Sequence, residues 1–173
     1  EGFTVHGGDA GTSARHAMTI VYNAVGREAG LPTELFTKTT PDIRTRLFTG
    51  LTNLFVGEAN FYTLLRDRLQ IESPRGYYAA YDLRSCSSIV LMEDIARTRG
   101  ARFGAPRTLK ITRPMAEDMV RLMATYHALF WENPELQSMR WLSGSAEWQG
   151  HLDRMINTRA MVARGVQRAK SVF

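Results

Sequence analysis

The stretch LFTKTTP, residues 35–41, decides how the chain is read. Its β-branched and aromatic content is that of a strand, yet Lys38 stands in its middle. A lysine is rarely buried without a partner, because desolvating an ammonium alone costs several kcal/mol. Two explanations are open. Either Lys38 lies on the wet face of an edge strand, where a charge discourages strand addition, or a carboxylate meets it inside the fold.

Upstream, GFTVHGG reads as a short strand, GGDAGTS (7–13) as a glycine-rich turn and HAMTIVYN (16–23) as a second strand. AVGREAGLP (24–32) reads as a loop, and TELFTKTT (33–40) as the third strand of a meander. From Asp42, a suitable N-cap, the period changes. Ile43, Leu47, Leu51, Leu54, Phe61, Leu65 and Leu69 recur at three- and four-residue steps, as on one helix face; Gly50 and Gly57 lie inside the span, so two helices with a break near Gly50 are the alternative. SPRG (73–76) is a turn, and YYAAYDL (77–83) with SSIVLMEDI (87–95) predicts a hairpin. ARTRGARFGAP (96–106) reads as a linker.

Thr112 and Pro114 then open a helix whose stripe is Met115, Met119, Leu122, Tyr126 and Leu129. The remainder, from about residue 135, reads as helical with interruptions at Gly144 and Gly150. Five strands with one main helix after the third, followed by helices only, predict a segregated α+β fold. The expected division is 1–96, a linker at 97–110, and a helical region at 111–173.

Glu58 is the carboxylate that answers Lys38. It follows Leu54 by four residues and precedes Phe61 by three, on the apolar stripe of its own helix. A charge on a buried stripe needs a partner, and a strand packed against that helix offers Lys38. The alternative stays open: Glu58 at the edge of the stripe, reaching water. The glycine turn adds backbone amides of the kind that cradle phosphates. It is not a P-loop, because no Gly-Lys-Ser/Thr follows. Nor is it a dinucleotide fingerprint, because a strand and not a helix comes next.

Bulk properties limit the alternatives. The 173 residues are 44% hydrophobic and 23% charged, as in soluble globular chains. Cys86 is the only cysteine, so no intrachain disulfide forms, and a cytoplasmic location is expected. No apolar run approaches the ~20 residues of a membrane span, so no membrane partner is expected. The net charge of +5 is spread over scattered arginines without a basic block, so nucleic acid is not the expected partner. No feature fixes an oligomeric state.

The order of glycine turn, strand lysine, helix glutamate, hairpin and hinge resembles the N-terminal lobe of the protein-kinase-like fold. Within it, the chain resembles the small-molecule kinases: the aminoglycoside and choline phosphotransferases, and most closely the ecdysteroid-kinase-like group with its bacterial relatives. The resemblance is carried by FTKTTP, by GEANFYTLLRDRL twenty residues on, by PRGYYAAYD, by IVLMEDI and by LMATYHALFWENPEL. It covers roughly residues 3–142.

The resemblance implies an ATP-dependent phosphotransferase acting on a hydroxyl of a small molecule. Gly8, Gly11, Thr12 and Ser13 would lie over the ATP phosphates. Lys38 would contact the α- and β-phosphates and be held by Glu58. The backbone of Glu93 and Ile95 would bond the adenine edge, with Met92 nearby. His127 and Trp131 would pack inside the second lobe.

The family also needs a catalytic-loop aspartate, an asparagine and a magnesium-binding aspartate, and these are expected beyond residue 173, so no metal ligand is assigned here. HLDRMIN (151–157) is not that loop. Asn157 follows Asp153 by four residues where the family has five, no strand follows, and the surroundings read as an amphipathic helix with Asp153 at its surface. The cradle is therefore expected without its catalytic loop. If the natural chain ends at Phe173, a non-catalytic nucleotide-binding or regulatory module is the expectation instead.

Overall fold

A computed structural model describes residues 1–11, 13–104, 108–142 and 144–171. The chain runs β1 (Gly2–Ala10), β2 (Ala14–Val21), α1 (Ala24–Glu28), β3 (Glu34–Thr39), α2 (Ile43–Thr52) and α3 (Leu54–Asn60). A π-helical turn (Phe61–Leu65) and a 3-10 turn (Arg66–Arg68) extend α3. Then come β4 (Gly76–Asp82), β5 (Ser87–Glu93) and α4 (Ile95–Arg99), followed by α5 (Arg113–Phe130), α6 (Pro134–Ser138), α7 (Ser145–Ile156) and α8 (Thr158–Lys170).

The expected α+β layout with a five-stranded antiparallel sheet is present, in the order β1-β2-β3-β5-β4. β3 is paired on both sides, so Lys38 is not on an edge strand. That removes the first explanation for the lysine. On one side of the sheet α3 packs over β4 and β5. Phe55, Val56 and Ala59 of α3 form the core with Leu65, Val90 and Met92, and Phe55 meets the Tyr81 ring edge-on at 5.9 Å.

Several local expectations need correction. The loop predicted at 24–32 contains α1, because the Asn23 side chain accepts from the Gly26 amide at 2.9 Å and caps a helical turn. The long helix does break near Gly50, three residues further on at Asn53. Asn53 takes φ 56°, a left-handed conformation that asparagine tolerates better than most residues. Gly50 has another role: a β-carbon there would stand 2.7 Å from Cys86 Sγ at the tip of the β4–β5 hairpin.

The break also rephases the apolar stripe. Ile43 and Leu47 of α2 are 81% and 62% exposed, whereas Thr49 and Thr52 turn inward and return their hydroxyls to Thr45 O and Phe48 O. The expected cap is in place, with the Asp42 carboxylate accepting from the amides of Arg44 and Thr45 at 2.9 and 3.0 Å. The segment read as a linker at 96–106 begins inside α4, capped by the buried Asp94 and closed by Gly100 at φ 66°. Residues 105 and 106 of that segment lie outside the described residues.

Gly144 precedes α7 as expected, but Gly150 lies inside it, and the later break falls at Asn157 with φ 51°. α7 docks on the end of α2: Trp148 Nε1 donates to Thr52 O at 3.2 Å, and His151 Nε2 lies 2.5 Å from Leu51 O. The expected burial of His127 and Trp131 is not observed. His127 is exposed and Trp131 is 75% exposed, because among the described residues no element packs along α5. No helix among the described residues is long and apolar enough to cross a membrane.

Candidate functional site

β3 carries Lys38 beside the point where α3 crosses the sheet, and Lys38 Nζ is ion-paired to Glu58 Oε1. The side chains are 27% and 35% exposed, so the pair sits at the edge of the core. Both readings of Glu58 were therefore partly right. It lies at the margin of the stripe formed by Phe55, Val56 and Ala59, and it reaches the lysine. A pair this exposed contributes about 0–1 kcal/mol to folding.

The surroundings fix the lysine in place. Thr40, buried two residues on, accepts from the Ser88 amide at 2.7 Å, and its own amide donates to Ser88 O at 3.2 Å. Arg46 Nε donates to Thr40 O at 2.9 Å, tying α2 to the end of β3. A cleft of about 50 Å³ opens here, lined by Ser13, Lys38, Thr40, Glu58 and Ser88 among others. Tyr62 stands on the far side of Glu58. Its hydroxyl donates to Met92 Sδ at 3.5 Å, and burial, with the Glu58 charge second, raises its pKa.

The glycine turn reaches this cleft through Ser13. β1 and β2 change register between His6 and Asp9, and Gly7 at φ 43° makes the irregularity. Gly8 is closely approached: a β-carbon there would lie 2.6 Å from the His16 ring, which would have to shift. The Gly11 amide donates to Ser13 O at 3.1 Å, so it is already engaged within the turn. Thr12 lies outside the described residues.

At the other end of the sheet, Met92 is buried on the side facing Tyr62. The Glu93 amide donates to Arg75 O at 2.8 Å. The Glu93 carboxylate accepts from Arg99 Nε and Nη2 at 2.8 and 2.5 Å and from the Thr98 hydroxyl at 2.7 Å. These contacts, Arg99 above all, hold the Glu93 pKa down to about 2. Ile95 opens α4, where amides have no acceptor within the helix, and the Asp94 carboxylate takes those of Ala96 and Arg97 at 3.1 and 3.4 Å. Arg97 is ion-paired to Glu34, which ties α4 to β3.

No family model, curated protein or solved structure matches the chain.

The site therefore rests on its own geometry. Lys38, Glu58 and Ser13 come together, while Met92, Glu93 and Ile95 form a separate braced segment at the opposite end of the sheet. Among the described residues there is no group of three or more His, Cys, Asp or Glu side chains that could hold a metal ion. Asp153 is engaged elsewhere, though it is less of a surface group than expected. Its side chain is 17% exposed, accepts from the Thr158 hydroxyl and the Arg159 amide, and pairs with Arg159 Nε at 2.7 Å, joining α7 to α8. Arg15, which has an interaction partner of its own, stands directly opposite Lys38 in the β2–β3 register, a placement that emerges only once the length of the glycine turn is known.

Proposed function

We propose that these residues form the ATP-binding part of a phosphotransferase acting on a hydroxyl of a small molecule, in a protein-kinase-like fold. The observation that carries this reading is the Lys38–Glu58 pair, set on an interior strand beside the glycine turn. Phosphoryl transfer asks of a protein mainly in-line placement and charge stabilisation. An ammonium held by a carboxylate is a preorganised cation for the α- and β-phosphates. The β1–β2 turn would cover the phosphates, and the braced segment at Glu93–Ile95 would offer backbone to the base. ATP supplies the transferable phosphoryl group when bound.

One observation favours a second reading, a nucleotide-binding module without transfer. Among the described residues, no further carboxylate joins Lys38 and Glu58 in their cleft, and Asp153 is committed to the α7–α8 junction.

The test is ATP binding and ATP-dependent phosphorylation by the protein as made from its native gene, offered aminoglycoside, sterol-like and choline-like alcohols. The proposal expects ADP release coupled to a phosphorylated alcohol, and loss of most turnover in Lys38→Ala with the fold intact. ATP binding without transfer selects the second reading. Normal turnover in Lys38→Ala overturns the role of the lysine.

A further inference from the structure

Leu54, Gly57, Glu58 and Phe61 follow one another at helical steps, so they share one face of α3 and its π-helical extension. Trp141, Leu142 and Trp148 stand across from that face, and an open groove of about 610 Å³ runs between the two walls. That volume lies in the range of small-molecule sites. The walls are held: Trp148 by its bond to Thr52 O at 3.2 Å, Phe61 by edge-on contact with Tyr62 at 5.1 Å. Two further observations point to a ligand. Gly57 stands inside α3, where glycine weakens a helix. It is not among the glycines with positive φ, and a β-carbon there would meet no described atom within 4 Å beyond its own helical turns. Neither backbone nor packing therefore calls for a glycine, whereas an occupant of the groove could use the room it leaves. The π-helical turn Phe61–Leu65 is the second observation. Such turns are rare and gather at functional sites, and Phe61, Tyr62 and Leu65 of this one line the groove.

We propose that this groove is a binding site for a flat, uncharged aromatic molecule. Phe61, Tyr62, Trp141 and Trp148 offer ring faces and edges for stacking. Glu58 is the only formal charge in the lining, so an anion is repelled. Its Oε1 is already paired with Lys38 Nζ, so no cationic ligand is needed to satisfy it. Tyr62 donates its hydroxyl to Met92 Sδ, which turns that group away from a ligand and leaves the ring as its contribution. The site does not depend on the nucleotide reading, although Glu58 is a wall of both this groove and the Lys38 cleft.

The experiment measures dissociation constants of naphthol, naphthalenesulfonate and cyclohexanol by calorimetry for the parent protein, Gly57→Ala and Trp141→Ala, with circular dichroism confirming each fold. Naphthol should bind the parent at least about 10-fold tighter than the sulfonate, which adds a negative charge, and than cyclohexanol, which cannot stack. Gly57→Ala should weaken naphthol by about 10-fold. Its melting temperature should stay level or rise, because alanine is the better helix former. Trp141→Ala should weaken naphthol as well, by removing one wall. Unchanged naphthol affinity in both variants overturns the site, since the probe then sits elsewhere. Equal affinity for all three probes, or no naphthol binding by the parent, overturns it too. So does a parent dimer that Trp141→Ala dissociates, because a second copy would then cover the groove.

Discussion

The sheet with its helices, residues 2–93, and the helices from Arg113 onward both carry regular apolar stripes, and those stripes meet different fates. In the first region Leu35, Phe55, Ala59 and Val90 are buried, and Phe55 has an aromatic partner in Tyr81. In α5 no side chain is buried, and Met119 and Trp131 stand in water. The accessible surface of 12950 Å² exceeds the roughly 8,500 Å² that scaling gives a compact chain of this mass. Exposed apolar side chains of α5, among them Met115, Met119, Val120 and Leu129, contribute to it. An amphipathic period announces a helix and its apolar side, but not what will lie against that side.

The contrast can be broken at single residues. Phe55→Ala should cost about 3–5 kcal/mol of unfolding free energy, because it removes the ring that α3 places against the sheet. Urea denaturation reads this directly, and a loss below about 1 kcal/mol would mean that this core is not the stable unit.

Next in size is an acid-dependent effect. The Glu93 pKa, lowered from 4.5 to about 2 by Arg99 and its other donors, means that the folded state favours the carboxylate. Its stabilising contribution is present above the unfolded pKa and is lost as pH falls from about 4.5 toward 2. Glu93→Gln should therefore flatten that part of a stability–pH curve and lower stability at neutral pH. An unchanged acid limb would remove the brace on the β5–α4 junction.

A smaller drop in melting temperature is expected for Asp42→Ala, which uncaps α2. Asp42→Asn should restore most of it, since asparagine caps equally well. Smallest of all, Trp131→Ala should change stability by no more than about 0.5 kcal/mol. A cost for Trp131 approaching that of Phe55 would show that the exposed face of α5 is covered in solution, which would erase the contrast.

What was legible in the sequence follows from the same physics. Lys38 and Glu58 stand out because each interrupts a pattern that is otherwise apolar or β-branched. Short β-branched and apolar runs on both sides of the glycine turn mark β1 and β2, and Asp42 marks the start of α2. The break at Asn53 was hidden because Gly50 is the better breaker by propensity, whereas packing under Cys86 gives Gly50 a different task. The inward turn of Thr49 and Thr52 was hidden as well, since their hydroxyls are satisfied by the helix's own carbonyls. Arg15 gave no local signal. Its partner is set by strand register, and register depends on turn length.

The claim that matters most is that Lys38 and Glu58 are held together for a ligand and not for the fold. A double-mutant cycle with Lys38→Met and Glu58→Gln, read both by urea unfolding and by the dissociation constant of an ATP analogue, separates the two. The expected result is a coupling of about 1 kcal/mol or less in stability, together with at least a tenfold loss of nucleotide affinity, about 1.4 kcal/mol, when the lysine is removed. A coupling of several kcal/mol in stability with unchanged nucleotide affinity would contradict it, and would make the pair a strut between β3 and α3.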